Sequence, residues 1–180
     1  MRVISGIARG RKLIVPKTDA IRPSKDMVKE SLFNIIQFEL PGARVLDLFA
    51  GTGQLGIEAL SRGAKSAVFV DSSSAAVKLI RENLKICGFS DVSMVYNTDA
   101  LKYLEYEEDF DIILIDPPYD SNLAKDAVLK ISEFDKLTKN GIMMCETAEN
   151  YELPSLPEPY LLKKSYKYGI TFVHCFRKDS

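Results

Sequence analysis

The chain has 180 residues, 46% of them apolar, and a formal net charge of −1. That is length enough for one domain with its own core, while no apolar run approaches the roughly 20 residues of a membrane span, and Arg9, Arg11 and Lys12 interrupt any secretory leader. Cys87, Cys145 and Cys175 are scattered among apolar residues, which fits buried thiols of a reducing cytoplasm and excludes a disulfide or zinc framework.

Charge is unevenly spread. Residues 1–30 hold eight Lys and Arg against three Asp and Glu, leaving the rest of the chain acidic. A stretch near the C-terminus adds Lys163, Lys164, Lys167, Arg177 and Lys178 with no acid among them. Basic clusters on an acidic body are the footprint of a polyanion. A merely solvated N-terminus is the plainer alternative.

In chain order, Val3, Ile4 and Ile7, then Leu13 and Val15, flank Gly6 and Gly10. The pattern predicts a small β-hairpin with a basic turn, Arg9-Gly10-Arg11-Lys12. Ser24 is placed to cap a helix running to about Glu39, with Val28, Leu32, Ile35 and Ile36 on its apolar stripe. Strand and helix then alternate. Strands are expected at 44–49, 66–71, 92–97, 111–116 and 141–146. Helices are expected at 54–62, 74–87, 100–104 and 122–137. Alternating βα units imply a doubly wound, mostly parallel α/β sheet of the Rossmann-like kind. The last two strands, 160–167 and 170–177, have no helix between them and predict a terminal antiparallel hairpin. With it the sheet has seven strands. The expected organisation is one domain over 1–180, with residues 1–23 as a basic extension and 24–180 as the catalytic core.

Gly51, Gly53 and Gly56 fit G-x-G-x-x-G between the first strand and its helix, and Asp71 follows Gly51 by 20 residues. This is a nucleotide-binding fingerprint, with the acid set for ribose hydroxyls. Asp47 beside the glycine turn would repel a pyrophosphate but suits a cationic α-ammonium, as in S-adenosylmethionine. That favours S-adenosylmethionine over a nicotinamide dinucleotide; a carboxylate that only braces the turn is the bland alternative. Asp99, at the end of the third strand, can accept from an adenine amino group, cap the next helix, or do both.

Asp116-Pro117-Pro118-Tyr119 follows the apolar run Ile112–Ile115. The prolines lack backbone donors, Asp116 adds an acceptor, and Tyr119 offers a flat ring. Such a shelf can accept hydrogen bonds from the exocyclic amine of a nucleobase while a ring holds the base. Tyr119 packed beside the prolines is the structural alternative. His174 lies among Val173, Cys175 and Phe176 and reads as a core histidine; Tyr168 reads as a turn tyrosine or a pocket-mouth residue. No cluster has metal-ligand spacing.

Asp47 to Gly56, Asp71, Asp99 and Asp116 to Tyr119, in this order, resemble class I S-adenosylmethionine-dependent methyltransferases of exocyclic amines. Gly10-Arg11-Lys12-Leu13, the run from Arg22-Pro23-Ser24-Lys25 to Leu32-Phe33-Asn34, Leu55-Gly56-Ile57-Glu58-Ala59-Leu60-Ser61-Arg62-Gly63-Ala64 and Tyr168-Gly169 are similar to the RsmD family. Here Gly6-Ile7-Ala8 stands where that family usually has a glycine pair and an aromatic. Ser24 replaces a usual threonine and Lys29 a usual arginine. The resemblance implies N2 methylation of a guanine, called guanine 966, in bacterial 16S ribosomal RNA. From its small size and single basic arm, the chain is expected to act as a monomer on a small-subunit particle. The resemblance also implies that Asp116, Pro117 and Tyr119 act at the amine, and that Asp47, Gly51, Gly53, Asp71, Asp99 and Asp116 hold the cofactor. Arg9, Arg11, Lys12, Arg22 and Lys25 would meet phosphates. The rivals are a DNA adenine-N6 or another RNA amino-methyltransferase, a non-catalytic ribosome assembly factor, and a nicotinamide-dependent reductase.

Overall fold

The computed structural model describes residues 1–16, 23–119 and 121–179, with the backbone alone for 23–25. Arg22 therefore lies outside the described residues, and so does the side chain of Lys25.

Five strands alternate with helices: β1 (Arg44–Asp47), β2 (Ser66–Asp71), β3 (Ser93–Asn97), β4 (Phe110–Ile115) and β5 (Leu137–Ala148). The helices are α1 (Pro23–Ile35), α2 (Gln54–Ser61), α3 (Ser74–Cys87), α4 (Ala100–Tyr103) and α5 (Leu123–Glu133). Two further strands, β6 (Tyr160–Tyr168) and β7 (Thr171–Lys178), complete a seven-stranded sheet in the order β3-β2-β1-β4-β5-β7-β6. The first five run parallel, while β7 is antiparallel to both β5 and β6. The expected sheet and terminal hairpin are both present, with β7 wedged between β5 and β6.

Strand side chains alternate between faces, so a sheet covered on both sides needs an apolar residue at nearly every position. Val45, Ile112 and Leu114 join one buried cluster with α2, α3 and the N-terminal arm. Leu46, Ile113 and Ile115 join the other, with α4 and α5. The chain winds outward from β1 through β2 to β3, then returns to add β4 and β5 on the other side. The crevice between the carboxyl ends of β1 and β4 is the switch point where ligands bind in such sheets. Asp47 ends β1, and Asp116 directly follows β4.

Local signals set most boundaries. Ser73 caps α3 by accepting from the Ala76 N–H, and Gly88 ends it in the left-handed region at φ 77°. Gly56 faces β2: a Cβ there would sit 2.3 Å from the Phe69 ring. Gly56→Ala should therefore cost about 1–3 kcal/mol of stability through overpacking, measured by denaturant unfolding.

Three expected boundaries are corrected. Helix α1 starts at Pro23, the position where a missing N–H costs nothing, so Ser24 lies inside the first turn; the helix ends at Ile35, not near Glu39. Helix α5 stops at Glu133 because Asp135 takes φ 51° and Leu137 pairs with Phe110 at the start of β5. The N-terminal hairpin is a turn-rich antiparallel arm closed by one bridge, Arg2 to Lys12, not two regular strands.

Four of the five cations in the C-terminal basic stretch are ion-paired, while Lys164 stays exposed over the Tyr166 ring. Lys163 pairs with Asp179 at 2.6 Å and Lys178 with Asp135 at 2.7 Å. Arg177 pairs with Glu39 and Lys167 with Glu149. Asp179 directly follows the stretch, while Glu39, Asp135 and Glu149 come from turns outside it, which local composition does not reveal. Cys87, Cys145 and Cys175 are buried free thiols. His174 is buried between Thr147 Oγ1 at 2.9 Å and Ser165 Oγ at 2.7 Å, stacked on Phe172. Burial lowers its pKa, and it is the core histidine expected. Among the described residues no helix is long and apolar enough to cross a membrane.

Candidate active site and cofactor cavity

A cavity of about 680 Å³ opens at the switch point. Asp47, Gly51, Asp71, Asp99, Asp116, Pro117, Pro118 and Tyr119 all line it, so the tertiary structure gathers residues spread over some 70 positions of sequence.

Asp47 is 1% exposed. Its Oδ2 accepts from the Gly56 N–H at 2.9 Å. Its Oδ1 is buried with no hydrogen-bond partner among the described residues. Burial first, and then the nearby Asp71, push its carboxyl up to about 7, against the pull of the Gly56 bond. A buried carboxylate oxygen with no partner, on the wall of a cavity, is an acceptor suited to a cation. A pyrophosphate would gain nothing there. The donor set therefore fits the ammonium of S-adenosylmethionine.

Asp71 braces the glycine turn more than expected. Its Oδ2 accepts from the Gly51 N–H and its Oδ1 from the Ser73 N–H, both at 2.8 Å. Each oxygen keeps a second lone pair for a hydroxyl. Asp99 does cap α4, accepting from the Lys102 N–H at 2.9 Å, and still lines the cavity. Gly53 is the exception. It is buried at φ 78° over Ile57 and Ile80, does not line the cavity, and forms the turn into α2.

Asp116 is half-buried, Pro117 buried, and Pro118 and Tyr119 exposed. The Pro118 carbonyl accepts from Ser121 Oγ at 2.7 Å, which leaves the Pro117 carbonyl as the shelf's other candidate acceptor. The Tyr119 hydroxyl donates to Glu146 Oε1 on β5 and lies 3.3 Å from Thr171 Oγ1 on β7. Burial, reinforced by Glu146, holds the phenol in its neutral form. Tyr119 is thus anchored at its hydroxyl with its ring at the cavity edge. Tyr168 does not line the cavity and packs against the core.

Sequence reasoning missed the residues that fix the arm. Glu58, fully buried on α2, accepts from the N–H groups of Ile4 and Ser5 at 2.8 and 2.9 Å and from Arg62 Nε at 2.8 Å. Ser61 Oγ accepts from the Ala8 N–H at 3.0 Å, and the Ser61 carbonyl from the Ile7 N–H at 2.8 Å. An acid inside the otherwise apolar and small run Leu55–Ser61 was the available signal. Lys29 is 4% exposed and donates to the Arg2 carbonyl at 3.2 Å, so it serves the arm's seat. Arg9, Arg11 and Lys12 stay exposed on the arm, with Arg11 Nη1 donating to the Ile86 carbonyl at 3.1 Å. Met1 and Pro16, at either end of the described arm, both line the cavity. Among the described residues no group of three or more His, Cys, Asp or Glu could hold a metal ion.

A doubly wound sheet with a reversed strand wedged near its edge, and a buried acid over a glycine turn at its switch point, define an S-adenosylmethionine-dependent methyltransferase. The solved yhhF protein of Escherichia coli superposes with a TM-score of 0.90 at 28% identity, covering 99% of this chain and 98% of that one. YlbH of Bacillus subtilis is 38% identical over 99% of each chain. The ribosomal RNA small subunit methyltransferase D of Haemophilus influenzae is 36% identical over 94% of this chain and 90% of its own. The model of the family described as Conserved hypothetical protein 95 matches residues 1–177, and the chain belongs to that family, the RsmD family.

Proposed function

We propose that this chain methylates the exocyclic N2 amine of a guanine, of the guanine 966 type, in 16S ribosomal RNA of the bacterial small subunit. The observation that carries the reading is that the Asp116–Tyr119 shelf and Asp47, whose Oδ1 has no partner among the described residues, line one cavity. Relatives named ribosomal RNA small subunit methyltransferase D support ribosomal RNA as the substrate class. The shelf supports an amine as the acceptor.

When bound, S-adenosylmethionine supplies an electrophilic methyl group and a neutral sulfide leaving group. The chain supplies position. Guanine N2 is a poor nucleophile, because its lone pair is delocalised into the ring. Asp116 and the Pro117 carbonyl accept its two hydrogens and so turn the lone pair toward the cavity. Tyr119 stacks on the base, which is splayed out of its helix or loop. Asp47 takes the ammonium, Asp71 the ribose and Asp99 the adenine amine. Arg9, Arg11 and Lys12, with Arg22 and Lys25, meet phosphates, and this interaction weakens as salt rises. Residues 1–23 form the RNA-contacting extension of a single catalytic domain, acting as a cytoplasmic monomer on a small-subunit particle.

The test is methyl transfer from labelled S-adenosylmethionine to unmethylated small subunits, naked 16S RNA and unmethylated DNA in parallel, with the product nucleoside identified. N2-methylguanine in ribosomal RNA is the expected result. N6-methyladenine in DNA, or cofactor binding without transfer to any substrate, would overturn it.

A further inference from the structure

One fully buried side chain stands between the arm and the cofactor loop. Asn83, on α3, is 0% exposed. Its Oδ1 accepts from the Ile14 N–H at 2.8 Å, and its Nδ2 donates to the Ile14 carbonyl at 3.0 Å and to the Thr52 carbonyl at 2.9 Å. Both backbone groups of Ile14 are thus matched as a neighbouring strand would match them. The remaining hydrogen reaches the loop between Gly51 and Gly53. Both hydrogens of the amide are used, and the asparagine cannot let go of one partner without leaving a buried polar group unmade.

The neighbours of this bolt belong to both functions. Thr52 lines the cavity; so does Pro16, two residues beyond Ile14. Thr52 Oγ1 also lies 3.6 Å from the Met1 sulfur at the other end of the arm. Arg11, an exposed cation of the arm, is seated on the same helix as Asn83 through the Ile86 carbonyl. Hydrogen bonds thus run from the arm at Ile14 through Asn83 to Thr52 of the cofactor loop.

We propose that Asn83 is a positioning residue that ties the arm to the cofactor loop, so that RNA docking and cofactor binding strengthen one another. The proposal rests on the reading of the arm and cavity given above. Coupling between two ligands is reciprocal and shows as a ratio of affinities.

The experiment is equilibrium dialysis of labelled S-adenosylhomocysteine against the full chain, with and without saturating unmethylated small ribosomal subunits. Wild type should bind about tenfold tighter when subunits are present. Asn83→Ala should bind both ligands more weakly, with a ratio near one. A residue that only supports the fold would lower the melting temperature and leave the ratio intact; that result overturns the proposal, as does a ratio of one in wild type with both ligands bound. Failure of wild type to bind one of the two ligands would overturn the functional reading, and this proposal with it. Hydrogen exchange on wild type needs no variant. S-adenosylhomocysteine should slow exchange at the Ile14 N–H, and unchanged exchange there with the ligand bound would count against the coupling.

Discussion

Asp116→Ala should lower methyl transfer roughly 10²–10³-fold, the scale on which losing one preorganised partner of a reacting group slows an enzyme. Cofactor affinity should change little. The residue directly follows β4 and lines the cavity together with Asp47 of β1; in the proposed function it meets the acceptor amine and Asp47 the ammonium. Asp116→Asn should lose less than Asp116→Ala, because it keeps the shape and one acceptor oxygen while losing the charge. Its amide oxygen can still accept one hydrogen of the amine, with the Pro117 carbonyl taking the other. Steady-state transfer to small subunits, run beside calorimetric binding of S-adenosylhomocysteine, separates the two quantities. Parallel loss of transfer and binding would remove Asp116 from the amine and make it a cofactor residue only.

Asp47→Asn should weaken cofactor binding roughly 10- to 100-fold, the range of one charge-assisted hydrogen bond. The same carboxyl makes the wild-type protein pH-sensitive, and the sign follows from its burial. Its ordinary value is 3.8, and in the folded chain it is pushed up to about 7. Between those limits the folded chain holds a proton that the unfolded chain has released. Stability of the ligand-free protein therefore falls as pH rises from about 4 to 7, by a few kcal/mol at most, and is level above that. Cofactor affinity moves the other way. It rises as pH approaches 7 and levels off beyond, because the ammonium binds the carboxylate and not the acid. At pH 8 the ligand-free Asp47→Asn chain should melt above wild type, while near pH 4 the two should coincide. Melting curves at the two pH values, with and without S-adenosylhomocysteine, check both. A wild-type affinity independent of pH between 5 and 8 would show that Asp47 does not face the cation.

Much of the site was legible before any folding. The apolar run Ile112–Ile115 ends at an acid and two prolines, which mark a strand end with exposed acceptors whatever surrounds it. The glycine turn and Asp71 are legible for the same local reason, since the chain must approach a ligand closely there. The structure changed the weight of particular residues. Gly53 forms the turn over Ile57 and Ile80, and Asp71 spends one lone pair of each oxygen on the backbone N–H groups of Gly51 and Ser73.

The succession of strands and helices along the chain, and the place of the acid-bearing loops at the strand ends, were determined by the sequence alone. They rest on period-two and helical spacing and on residues with one dominant local use. The neutralised C-terminal lysines, the seat of the arm on Glu58, the buried Lys29 and the bolt at Asn83 were decided only by the tertiary structure. Each depends on a partner far away along the chain, such as Glu39 for Arg177 or Ile14 for Asn83. A polar side chain looks the same in sequence whether it meets water or a backbone group brought to it by folding. Burial decides which, because an unpaired polar group is costly only once water is excluded.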